Sequence, residues 1–239
     1  MKVIILSNED VKLQREKLEE LIKVVGFKGP IKNFKYSDYF VEELEENDTL
    51  FVICPKGPNV DIPFLDNTII SKYKKIIPVC YDDSKKENMP TCLHVKKGLY
   101  INGNPFLLNL INSLSYSLDI PNLCTDYFSQ IKNIHSLQQS SENLLQIKNS
   151  LLELEKVQKP YYCAETLDHA IILDKIKTLH DVTSKTAENL HAILTSLSAS
   201  QQNKIYAALK NTLLGECLEK IDLEKSQEAA PAKKSYFRL

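Results

Sequence analysis

Two short apolar runs, set about one helix apart, constrain this chain more than any other feature. They lie in residues 48–83, DTLFVICPKGPNVDIPFLDNTIISKYKKIIPVCYDD. The first covers 49–55 and the second 75–81. Both are rich in β-branched or aromatic residues, and both end in turn-forming or charged ones. Runs that are apolar throughout, with enough chain between them for a crossover, are the pattern of buried strands in a parallel sheet.

The flanking chain repeats the pattern. Residues 2–6, KVIIL, form an apolar run that meets Ser7, Asn8, Glu9 and Asp10. From Asp10 the period changes to a helical one, with Val11, Leu18, Leu21, Ile22 and Val25 on one face. Ser7, Asn8 or Asp10 suits its N-cap, and Gly26 suits a left-handed C-terminal end. Residues 29–34 read as a weaker strand, 37–47 as a short acidic helix or turn with Tyr39, Phe40 and Leu44 inward, and 62–73 as a helix or irregular segment. A polar loop at 82–90 leads to a last short strand at 98–102. Pro105 then opens a helix with Phe106, Leu107, Leu110, Ile111 and Leu114 inward. The expected fold class is α/β over residues 1–120: a five-stranded parallel sheet with flanking helices and right-handed crossovers. Ligands of such sheets bind at the carboxyl ends of the strands. Here those ends fall at 7–10, 55–59, 81–84 and 102–104.

Beyond Pro121-Asn122 the strand signals stop. Residues 125–159 carry one long helical pattern through Ile131, Ile134, Leu137, Leu144, Ile147, Leu151 and Leu154, interrupted at Ser140-Ser141. Further helices are expected over 165–182 and 201–223, with residues 183–197 either continuing the first or starting another after Thr183-Ser184, and with a capped break at Ser198 to Ser200. Several amphipathic helices joined by short connections predict an all-α helical bundle at 122–223, suited to oligomerisation or to a partner. Residues 224–239, EKSQEAAPAKKSYFRL, are polar and Pro-containing and predict a disordered tail.

Composition removes several function classes. A formal net charge of -1 over 239 residues leaves no electrostatic footprint for nucleic acid. No stretch approaches the about 20 apolar residues of a spanning helix, and MKVIILSNED is too short an apolar run for a signal peptide. The six cysteines include no C-x-x-C pair, so buried thiols in a reducing, cytoplasmic setting are expected, and no metal. No G-x-G-x-x-G or G-x-x-x-x-G-K phosphate loop occurs, nor a G-x-S-x-G elbow.

The candidate chemistry therefore sits at the strand ends. Ser7, Asp10, Asp82 and Asp83 would gather at one edge, where carboxylates hold a cation or act as bases. The same residues read more simply as helix caps, Ser7 and Asp10, and a solvated turn, Asp82-Asp83. Cys92 and His94 lie two residues apart in a loop and would face the same way in an extended segment. His169, His180 and His191 recur every 11 residues. On one helix they would share a face, but about 16 Å apart, too far to share a metal.

With the elements in place, residues 1 to about 118 resemble a TIR-type domain, the Toll/interleukin-receptor variant of the flavodoxin-like sheet. VIILSNED at 3–10 looks like that family's first-strand box, DTLFVICP at 48–55 like its third strand and IIPVCYDD at 76–83 like its fourth. Many TIR domains cleave NAD with a Glu on the helix before the fourth strand. Here that segment is IPFLDNTIISKY, whose one acid is Asp66. The Arg-Asp-x-x-Pro-Gly loop is replaced by Phe27, Lys28, Gly29 and Pro30. The resemblance thus implies a divergent domain used for binding, and the C-terminal tail resembles type IV secretion effector signals. The expected function is an interaction and signalling module with protein partners and no resident cofactor, acting in the cytoplasm or secreted into a host cell. Two alternatives stand beside it. One is an NAD- or nucleotide-processing enzyme using Ser7, Asp10, Asp66 and Asp82. The other is a scaffold that forms homo-oligomers through its helical half.

Overall fold

The computed structural model of the chain describes residues 1–55, 62–81, 89–94, 96, 98–101, 107–162 and 168–229. It divides into two compact units. One comprises Met1–Leu123 with Gln158–Thr178, the other Cys124–Val157 with Leu179–Leu239.

The first unit is built on a parallel sheet of β1 (Val3–Ser7), β2 (Ile31–Lys35), β3 (Thr49–Ile53), β4 (Ile76–Cys80) and β5 (Leu99–Tyr100), in the order β2-β1-β3-β4-β5. Every pairing is parallel, with Val3 opposite Ile31 and Thr49, Leu50 opposite Ile76, and Val79 opposite Leu99. β1 and β3 are buried at every residue, as an apolar run in a central strand requires. β2 is an edge strand and is only half-buried, which is why its sequence signal is weak.

Alternation along the strands divides the core. Ile4, Leu6, Leu50, Val52, Cys54, Ile76 and Cys80 share one buried cluster with Phe40, Leu44, Ile70, Tyr73 and Leu93. The last five come from chain that follows β2, β3 and β4. They lie on or beside the 3₁₀ turns Val41–Glu43 and Thr91–Leu93 and the short helix α2 (Asn67–Lys72). The other face is tied to α1 (Lys12–Val24) and α3 (Leu107–Leu118): the Tyr81 hydroxyl donates to Gln14 O at 2.7 Å, and Thr49 Oγ1 donates to Ser117 O at 2.6 Å.

The ends of α1 show how the sequence sets element boundaries. A 3₁₀ turn, Glu9–Val11, precedes it, and Asn8 sits at that turn's N-cap without a side-chain capping bond. At the other end Gly26 has φ 106°; its N–H donates to Lys23 O at 3.0 Å, and the Phe27 N–H to Ile22 O at 3.2 Å. This pair of bonds is the Schellman termination that glycine permits without a Cβ clash.

In the helical region three sequence expectations are corrected. The pattern over 125–159 divides into α4 (Tyr127–Lys132), α5 (His135–Gln138) and α6 (Ser141–Gln158), with Asn133 and Ser140 between them. Of the two readings at Thr183-Ser184, the continuous helix holds. α7 runs from His169 to Leu194, because the Thr183 hydroxyl is satisfied within the helix by Leu179 O at 2.7 Å. The expected last helix is two, α8 (Ala199–Leu209) and α9 (Leu213–Ala229). Asn211 adopts φ 64° between them, and Thr212 Oγ1 accepts the Gly215 N–H at 3.1 Å. A Cβ on Gly215 would lie 2.2 Å from Leu209 O, so glycine allows the tight junction. Finally, residues 224–229 are helical, not part of a disordered tail; the rest of that tail lies outside the described residues. The break before α8 is as read: Ser198 and Gln201 form a capping box. Residues 158–178, assigned from sequence to the helical half, belong to the first unit.

Candidate functional site

In this strand order β1 and β3 are neighbours whose chains leave the sheet towards opposite faces, which opens a crevice at their carboxyl ends. Ser7 ends β1. It is 1% exposed, its carbonyl accepts the Tyr36 N–H at 3.1 Å, and its Oγ has no hydrogen-bond partner among the described residues. Tyr36 follows β2, and its hydroxyl donates to Ile53 O at the end of β3, so the ring spans the end of β1. Burial pushes its phenol far above the usual range. At the ends of β3 and β4, the Cys54 and Cys80 Sγ atoms lie 3.4 Å apart.

An aromatic pair stands at the same edge. Tyr39, from the segment after β2, and Phe64, from the segment after β3, meet edge to face with centroids 5.1 Å apart and an interplanar angle of 81°. Tyr39 is 54% exposed. Sequence reading placed Tyr39 on an inward face. The ring is instead outward, because residues 37–40 lie outside any helix and the short 3₁₀ turn begins only at Val41.

The acids expected here behave differently from one another. Asp10 is exposed on the 3₁₀ turn before α1. Asp66 is the N-cap of α2, its Oδ1 accepting the Ile69 N–H at 2.9 Å. That role accounts for an acid at this position without chemistry. Asp82 and Asp83 lie outside the described residues. Cys92 and His94 sit on a 3₁₀ turn instead of an extended segment, and His94 Nε2 contacts Met89 O at 2.9 Å. The three periodic histidines all lie on α7. Among the described residues no group of three or more His, Cys, Asp or Glu side chains is placed to hold a metal ion.

The second unit carries a polar groove of about 540 Å³ between α8 and α9, lined by Gln202, Asn203, Tyr206, Glu219, Asp222 and Leu223. Behind it, His191 Nε2 lies 2.9 Å from Asp222 Oδ1, and Lys225 Nζ lies 3.1 Å from His191 Nδ1. An ammonium only donates, so Nδ1 accepts and Nε2 carries the proton given to Asp222. Burial, and then Asp222, push the Tyr206 phenol up. On α6, Leu145 and Leu152 are 57% and 42% exposed at heptad spacing.

A scan against family models finds no match, and neither a search of curated proteins nor one of solved structures finds a match. Among the described residues no helix is long and apolar enough to cross a membrane.

Proposed function

We propose that the chain is an interaction and signalling module that docks on a protein partner through the carboxyl edge of its sheet. The observation that carries this reading is the Tyr39–Phe64 pair at that edge, in which Tyr39 is exposed and Phe64 is partly buried against the core. Rigid aromatic rings offer large contact area at low entropic cost and are enriched at interface centres. The TIR-like strand boxes at 3–10, 48–55 and 76–83 support a signalling role, and the resemblance of the tail to secretion signals supports a bacterial effector acting in a host cell. Asp66 is committed to capping and Asp10 faces solvent, which weighs towards binding over turnover.

One observation favours the enzyme reading: the buried, unpartnered Ser7 Oγ at the same edge, which an NAD or nucleotide ligand would satisfy. The exposed Leu145 and Leu152 favour homo-oligomers through α6.

The test combines NAD and a nucleotide panel, followed by turnover and thermal shift, with binding of an identified partner by wild type and the Tyr39→Ala/Phe64→Ala variant. The expected result is no turnover, and a partner affinity reduced at least tenfold in a variant that stays folded. NAD cleavage at an enzyme-like rate, lost in Ser7→Ala, would put the enzyme reading in its place.

A further inference from the structure

We propose that Cys54 and Cys80 are a dithiol–disulfide couple that staples β3 to β4 at the carboxyl edge of the sheet. Ile53 pairs with Val79, so the next residues on the two strands are these two cysteines. The Cys54 N–H donates to Val79 O at 2.8 Å and the Ile101 N–H to Cys80 O at 3.0 Å, which fixes both backbones. Both side chains lie in the same apolar cluster, with their sulfurs 3.4 Å apart. A disulfide needs about 2.05 Å, so the sulfurs must approach by about 1.4 Å.

The chemistry balances with a peroxide as oxidant. One thiolate attacks the peroxide oxygen, giving a sulfenic acid and water; the second thiol displaces hydroxide from that sulfur, giving the disulfide and a second water. Two thiols lose two electrons and two protons, and the peroxide takes up both pairs. Cys54 and Cys80 are 1% and 0% exposed. The contact with Cys80, together with burial, pushes the Cys54 thiol far up, so little thiolate exists while the edge is closed. The couple therefore oxidises slowly, at the rate at which the edge opens, or during folding in an oxidising compartment. Once formed, the bond closes a loop between residues 26 apart and restricts the unfolded chain.

The test uses the full-length reduced chain, exposed overnight to hydrogen peroxide under folding conditions, then alkylated, digested and mapped by mass spectrometry. Half-buried Cys92 reports that oxidant was effective. The expected product is a peptide pair joined through Cys54 and Cys80, lighter by two hydrogens and reversed by dithiothreitol. The thermal midpoint rises by several degrees on oxidation and falls back on reduction, and both effects are absent from Cys54→Ala and Cys80→Ala. Recovery of both residues alkylated, or as separate sulfinic acids, after Cys92 has been consumed would overturn the proposal. The wild-type map decides the question even if neither variant folds.

Discussion

The two ends of the sheet spend their buried polar groups in opposite ways. At the amino end they are committed. The Asp48 side chain is 2% exposed, and its oxygens accept the N–H groups of Lys2 at 2.8 Å and Glu45 at 2.9 Å, with Lys2 Nζ at 3.4 Å. Thr49 is bonded to Ser117 O, and Lys75 pairs with Asp119. At the carboxyl end, Ser7 Oγ has no partner among the described residues, two thiols face each other, and Tyr39 stands in solvent. A polar group buried without a partner costs stability, so a fold keeps one where something other than stability is served. The amino end reads as the anchor, and the carboxyl end is the edge that the proposed docking would use.

The largest expected effect tests the anchor. Asp48→Ala leaves two buried backbone N–H groups without their acceptor and the Lys2 ammonium with Glu45 alone, and should cost about 3 kcal/mol in urea denaturation. A loss under about 1 kcal/mol would remove the anchor role. Thr49→Val is next. It keeps the shape but strands the Ser117 carbonyl, and should cost about 1.5 kcal/mol, seen as a lower urea midpoint at unchanged slope.

The same contrast has a pH signature. Burial pushes Asp48 up, but the Lys2 and Glu45 N–H groups and the Lys2 ammonium outweigh it, leaving its carboxyl below the usual value. A depressed carboxylate contributes stability above its unfolded value of about 3.9, and that contribution is lost as pH falls through the folded value. The anchor should thus fail only in acid. His169, away from both ends, differs. Burial lowers it, offset in part by Glu20 Oε2 at 3.4 Å. Neutral His169 supports the fold above about pH 6.5, and that support is lost as pH falls through its lowered folded value. Urea midpoints at neutral pH, near pH 5 and near pH 3 should separate the two: His169→Gln should flatten the upper step and leave the acid step in place.

How much of this was legible depended on whether a residue's role is local. β1, β3 and β4 were readable because strands buried on both faces are apolar throughout. β2, IKNFK, is an edge strand and gives a mixed pattern, and β5 has only two paired residues. Ser7 was readable as a strand end. Tyr36 was not: its role comes from spanning β1 to reach Ile53, a contact across 17 residues that no local spacing encodes. Asp66 carries two local readings, since an Asp three residues before Ile69 is an N-cap pattern as much as a candidate acid, and the structure shows the capping bond. The joints at Asn133 and Asn211 were hidden because the apolar period continues through them.

The smallest expected effect is the sharpest for the comparison. Ser7→Ala removes a buried hydroxyl that has no partner, so it should change stability by less than about 0.5 kcal/mol or raise it slightly. At the other end of the same sheet, Thr49→Val removes a hydroxyl of similar burial and is costly. Equal losses at the two positions would mean that Ser7 does structural work and that the edges do not differ in kind. A neutral Ser7→Ala that also weakens a ligand-induced thermal shift would tie the unsatisfied oxygen to what binds there, because a ligand stabilises the folded state in proportion to its affinity for it.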